Sequence, residues 1–281
     1  NIREIIDTLF VKNAKKSLDK LNLRHRHYIK SEKYKGEIHF STGSNTARSS
    51  SNFYALNNGI ATLFEIRGVG IAKTSFKRRI NSGLAVGFSF LKTAYENSSF
   101  IFNQIDIANK YTNDIVLQHE RSIYTDVIKA IDIESNELID FTTTMHSSKD
   151  SYAISKRDRP LAYIIKKNNY GFIEKLNDVG VNYVEFEKDT MIYSGGYKVV
   201  EFNNNFKVYE KMKMQKVVTS IEYSNNKFSK GDILISMNQK RSNLIAELLE
   251  PEAPNSYVSF GIIKTSLNKQ LPIYRIKNFN N

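Results

Sequence analysis

Apolar positions along this chain follow the helical repeat in some stretches and a strand-like pattern in others. Ile2, Ile5, Ile6, Leu9 and Phe10 open it on three- and four-residue spacing, which predicts an amphipathic helix over residues 2–21. Residues 34–40 are predicted as a short strand, followed by a polar Ser/Thr/Asn loop over 41–52. Residues 53–56 read as helical and the apolar run 60–64 as a buried strand. A turn, Gly68-Val69-Gly70, then delivers the chain to a long helix with Thr74 or Ser75 as its cap. Phe76, Ile80, Leu84, Phe88, Leu91 and Tyr95 make an apolar stripe along that helix.

The second half alternates. Residues 161–165 and 181–186 read as strands flanking a helix at 170–176, with further β-rich segments at Val199, 206–209 and 217–223. Residues 231–236 form another predicted strand. A helix over 243–249 turns Leu244, Ile245, Leu248 and Leu249 inward and stops at Glu250-Pro251. Residues 97–113 mix Ile/Phe pairs with polar breaks and are taken as connecting chain. All four prolines (Pro160, Pro251, Pro254 and Pro272) lie in the second half, which places a domain boundary between about 100 and 155. The expected fold class is α/β: one domain over 1–100, a connector over 101–150, and an accessory α/β or α+β domain over 151–281.

Candidate chemistry gathers where the run 60–64 ends. A lone carboxylate, Glu65, follows it, with Arg67 two positions on. A strand that brings one Glu to its carboxyl end beside a cation is one way to build a general base. The plainer alternative is a terminal Glu paired with Arg67. Gly68-Val69-Gly70-Ile71-Ala72-Lys73-Thr74 resembles a phosphate loop only superficially, because that motif needs Gly directly before the Lys and Ala72 stands there.

Phe64-Glu65-Ile66-Arg67, with Tyr54 eleven residues before the Glu, resembles the catalytic-glutamate strand of the zinc carboxypeptidases, the carboxypeptidase A-like metallopeptidase family. The string from Arg48 through Asn52-Phe53-Tyr54 and Leu56, and then Phe76-Lys77-Arg78-Arg79, is similar to large bacterial members. The resemblance covers roughly residues 25–98. It implies the C-terminal part of a carboxypeptidase-like mixed sheet with helices, a peptide substrate, and a Glu65 that activates zinc-bound water. It also implies that Arg48, Arg67 and Tyr54 bind substrate, Arg48 by gripping its terminal carboxylate bidentately. A weaker likeness to the tail of such proteins lies in Arg159-Pro160 with Tyr163, and in Leu248-Leu249-Glu250-Pro251-Glu252.

The sequence departs from the family twice. Gly43 stands where the family's mobile-loop Tyr would fall, and none of His25, His27, His39, His119 or His146 has a Glu three residues on. No metal ligands are therefore assigned in this chain. The zinc is expected to be held by residues upstream, in a missing N-terminal part of the same polypeptide, since the chain starts at Asn1 inside a helical pattern. The competing expectation is a non-catalytic carboxypeptidase-like scaffold for anionic or envelope ligands, in an extracytoplasmic setting.

Composition narrows this further. At 281 residues with 41% hydrophobic and 25% charged content, the chain has material for real cores. It holds no cysteine, which excludes disulfides and thiolate metal sites. No apolar run approaches the ~18 residues of a membrane span. The formal charge is +12, and nine Lys or Arg stand against Asp19 and Glu32 between Lys12 and Lys35. Of these, Lys12, Lys15, Lys16 and Lys20 recur at helical spacing beside Leu18, Leu21 and Leu23, as on a solvated face, and the aromatics are not interleaved with Arg, so nucleic acid is not the expected partner.

Overall fold

A computed structural model describes residues 2–68, 70, 73–110, 113–167 and 170–278. Val69, Ile71 and Ala72 of the expected glycine turn lie outside the described residues, as does the side chain of Thr74. The class is mixed α/β, with two sheets and several helices. The chain divides into two compact units: residues 1–52, 60–105 and 119–153, and residues 53–59, 106–118 and 154–281.

The first unit opens on α1 (Ile2–Ile5), a π-helical stretch (Ile6–Val11) and α2 (Lys12–Asp19), so the predicted amphipathic helix forms with a widened middle. The predicted strand at 34–40 is instead a hairpin of β1 (Ile29–Tyr34) and β2 (Glu37–Thr42). Lys35 and Gly36 form its two-residue turn at φ 50° and 91°. Consecutive left-handed residues match the twist of the flanking strands. The Lys at the first position hides the turn from a search for Asn-Gly or Asp-Gly. The four-stranded sheet runs β1-β2-β4-β3, where β3 is Ile115–Ile131 and β4 is Leu138–Arg157. β2 and β4 pair in parallel, His39 opposite Thr144 and Ser41 opposite His146. The stretch read as connector therefore carries long strands. It also contains most of α5 (Ser98–Asn109).

Two expectations here are corrected. α3 spans Ser50–Leu56, but the run 60–64 is irregular and pairs with no strand. Its apolar side chains account for this: Ile60 packs on a small cluster of Ile5, Phe10 and Ile101, and Phe64 on one of Ala14, Leu18 and Val86. They dock it on helices and leave its backbone out of a sheet. α4 (Lys73–Glu96) begins ahead of the proposed cap, and the Ser75 hydroxyl is buried without a partner rather than capping.

The second unit is better filled. Its sheet runs β6-β9-β5-β10-β7-β8, comprising β5 (Ala162–Ile165), β6 (Val184–Glu185), β7 (Thr190–Tyr209), β8 (Met212–Phe228), β9 (Ile233–Ser236) and β10 (Gln270–Ile276). All its pairings are antiparallel. β5 is buried on both faces. Tyr163 and Ile165 enter the main core with Tyr197 and Leu271, whereas Ala162 and Ile164 face Phe228 and Ile276. α6 (Tyr170–Asp178) contributes Phe172 and Leu176, and α7 (Ser242–Leu249) contributes Ile245 and Leu249, to the main core. Gly180, at φ 68°, ends α6 in the left-handed conformation favoured after a helix.

Candidate functional site

The segment before α4 carries Glu65 and Arg67 on irregular backbone, both exposed. Neither makes an ion pair or a hydrogen bond with another described residue. The simple alternative, a terminal Glu locked onto Arg67, is therefore not the arrangement found. A carboxylate held near the surface without a partner retains its lone pairs for a proton or a water.

Arg48 is exposed in the turn that precedes α3. Tyr54 stands on α3 in the stretch assigned to the second unit, 58% exposed, with its ring edge-on to Phe53 at 5.9 Å. Glu65, Arg67 and Arg48 all lie in the first unit. An open depression of about 420 Å³ in that unit is lined by Glu37, Ile38, Thr125 and residues 141–144 of β4, and none of the candidate residues borders it.

The histidines settle into local roles. His39 Nδ1 lies 2.9 Å from His146 Nε2, and His39 Nε2 lies 3.4 Å from Glu37 Oε2. The parallel β2–β4 register brings this pair together, and the Tyr34 ring packs 5.1 Å from His39. Glu37 sits on the far nitrogen of His39, so the three groups do not converge on one point. His25 bonds Asp19 at 2.9 Å, and His119 meets the Asn45 carbonyl at 3.2 Å. Burial first, and then the Lys15 and Lys149 cations, hold His27 below the ordinary imidazole value. Among the described residues no group of three or more His, Cys, Asp or Glu could hold a metal ion. The donors present do not fit a zinc centre, which needs three protein ligands around an open position.

The sequence strings around residues 159–163 and 248–252 meet inside the second unit. Glu250, fully buried, takes Arg157 Nη1 at 2.5 Å on one oxygen. On the other it accepts the Tyr163 and Tyr197 hydroxyls at 2.5 and 2.8 Å. Arg275 Nη2 stands 3.9 Å away. Arg157 also pairs with Glu252, which accepts from Thr219 N at 2.6 Å and Thr219 Oγ1 at 2.9 Å. Burial would lower the Arg157 pKa, but Glu250 and Glu252 outweigh it and leave the guanidinium above its usual range. Burial, and next Glu250, push both tyrosines well above theirs. This network fixes β5, β7, β10 and the end of α7 together. Its chemistry is that of a core.

Similarity to known proteins runs the length of the chain. It is similar to fungal proteins named carboxypeptidase 2. That of Trichophyton equinum is 29% identical over 286 aligned residues, covering 98% of this chain. Those of Trichophyton tonsurans and Trichophyton rubrum are 28% and 29% identical, again over 98% of the chain. In each case the chain spans about half, 52%, of the relative's length. These relatives are fungal, where the sequence strings had pointed to bacterial proteins. No protein-family profile matches the chain, and no solved structure matches it.

Proposed function

We propose that the chain is part of a carboxypeptidase that hydrolyses C-terminal peptide bonds, with Glu65 as its proton-transfer carboxylate. The observation that carries this is similarity along 98% of the chain to proteins named carboxypeptidase 2, across a segment that presents Glu65 exposed and unpaired. Glu65 accepts a proton from water as the water oxygen attacks the scissile carbonyl carbon. When the C–N bond breaks, the carboxylic acid returns that proton to the leaving amine. Arg48 receives the substrate's terminal carboxylate through paired N–H donors, Tyr54 contacts the substrate, and Arg67 supplies positive potential near the developing oxyanion.

The whole enzyme's activity rests on more chain than this, because the relatives are about twice as long. Zinc dependence belongs to the same proposal, with its ligands in the length not covered here. The described residues do not fit the ion. The test replaces Glu65 with Gln in the complete protein and follows release of the C-terminal amino acid from a peptide. Turnover is expected to vanish with circular dichroism unchanged, and retained turnover removes Glu65 from the reaction. The alternative is a non-catalytic carboxypeptidase-like binding or scaffold protein for anionic or envelope ligands. Zinc analysis of the complete protein, together with the same assay, separates the two.

A further inference from the structure

α4 is amphipathic in an unusual sense, because its more apolar face is the open one. Phe76, Ile80, Leu84, Phe88, Leu91 and Tyr95 are 58, 44, 51, 67, 69 and 85% exposed. Val86, Ser89 and Thr93, buried on the opposite side, face the bundle, where Asn13 of α2 donates to Thr93 Oγ1 at 3.1 Å. Positions two apart on a helix lie about 200° apart. The sequence of buried and exposed residues from Leu84 to Thr93 therefore describes two full faces rather than scattered exposure. A continuous apolar stripe on a helix of 24 residues exceeds what an isolated soluble domain leaves open.

The adjoining segment is unfinished in the complementary way. Residues 60–67 make no backbone hydrogen bond among the described residues, and the Thr62 hydroxyl oxygen is buried without a partner. Leu63 is 62% exposed. An apolar run with a free backbone ladder is built to gain a neighbouring strand, which supplies the missing donors and acceptors. The sequence predicts a strand here, whereas the structure leaves the run irregular and without a partner among the described residues.

We infer that the outer face of α4 and the strand-like run 60–64 form one docking surface, whose occupant is the polypeptide corresponding to the half of the relatives' length that this chain does not cover. That occupant must offer a sheet with an open edge to pair with 60–64 and an apolar face to cover the stripe. This rests on the kinship with carboxypeptidase 2 proposed above, and it places the carboxyl end of the paired strand, Glu65, at the junction of the two halves.

The test expresses the chain together with the remainder of its own open reading frame, as separate polypeptides, beside a Leu84→Asp/Phe88→Asp variant. Both substituted side chains are exposed, so unchanged melting of the variant alone shows that its fold persists. Expected results are one-to-one co-purification, at least 100-fold slower amide exchange over 60–67 in the complex, and loss of both in the variant. A reading frame with no such remainder, absence of co-purification, or equal capture by the variant overturns the inference. So does a chain that dimerises alone through this stripe. Peptide hydrolysis is scored separately: association without hydrolysis removes the peptidase reading and leaves the docking surface, and no association removes the surface whatever the activity.

Discussion

Removing the charge of Glu250 gives the sharpest test of how the second unit holds together. Glu250→Gln keeps the shape and one carbonyl oxygen to accept from Tyr163 and Tyr197. It turns an amide N–H₂ toward Arg157, where a carboxylate stood 2.5 Å from the guanidinium. Removing one member of a buried ion pair costs about 3–5 kcal/mol, because the other charge is left uncompensated. Two features argue for the lower end. Arg157 retains Glu252, and Arg275 retains Asp158 at 3.3 Å. Opposing them, a unit charge 3.9 Å from Arg275 is worth about 4 kcal/mol at an effective dielectric near 20. A net loss of about 3 kcal/mol follows, and with about 2–4 °C per kcal/mol for a domain of this size, the melting midpoint falls by about 6–12 °C. Thermal denaturation followed by circular dichroism reads this directly. A shift below 2 °C would refute the claim that Glu250 neutralises both arginines.

Other consequences follow from the same geometry. Tyr163 and Tyr197 keep their protons in the fold above the ordinary tyrosine value near 10, and burial with Asp178 pushes Tyr257 up to about 12. Unfolded tyrosines ionise first, so stability is whole below about pH 10 and falls as pH rises toward the folded values; denaturant midpoints that stay flat from pH 9 to 11.5 would contradict this. Asp158 is drawn the opposite way. Burial raises it, but Arg275 and Lys277 outweigh that and hold the carboxyl below its ordinary range. Its contribution is present above about pH 4 and lost as pH falls through the folded value, and Asp158→Asn should flatten that part of the acid limb. Gly195→Ala would set a methyl carbon 2.7 Å from Ile221 and 2.8 Å from the Tyr223 ring, so a loss of about 1–3 kcal/mol is expected in urea unfolding.

What could be read from the sequence follows a physical rule. Elements whose pattern is satisfied locally were legible. α7 lies at Ser242–Leu249 against a predicted 243–249, and β5 at Ala162–Ile165 against 161–165. α4 declared itself by periodicity too, although the stripe that marked it stands exposed rather than in a core. β3 and β4 were missed because their exposed faces carry Ile123, Val127 and Ile154 among polar residues, which breaks the clean alternation that marks a half-buried strand. β10, the central strand that supplies Arg275, was missed as well. Glu65 and Arg67 stood out through resemblance, and the structure adds their exposure and lack of partners. The Glu250 network had a visible trace in the strings around Tyr163 and Glu250, but sequence spacing says nothing of a carboxylate meeting groups nearly ninety residues away.

The contrast between the units carries the functional argument further than any one residue. In the second, β5 is buried on both faces and a carboxylate is sealed among two arginines and two tyrosines, so that unit encloses a core of its own. In the first, the small clusters around Phe10 and Leu18 occupy one side of α4 while six large apolar side chains stand open on the other. The same unit holds the candidate base on backbone with no ladder. A general base works only when its carboxylate is held within about half an ångström of the productive position, which an unpaired segment cannot do. The covering that would bury the stripe would also pair the run 60–64 and fix Glu65 at its end. On the proposed reading, assembly of the fold and positioning of Glu65 are one event, and a variant that leaves the stripe uncovered should lose peptide hydrolysis as completely as one that lacks the carboxylate.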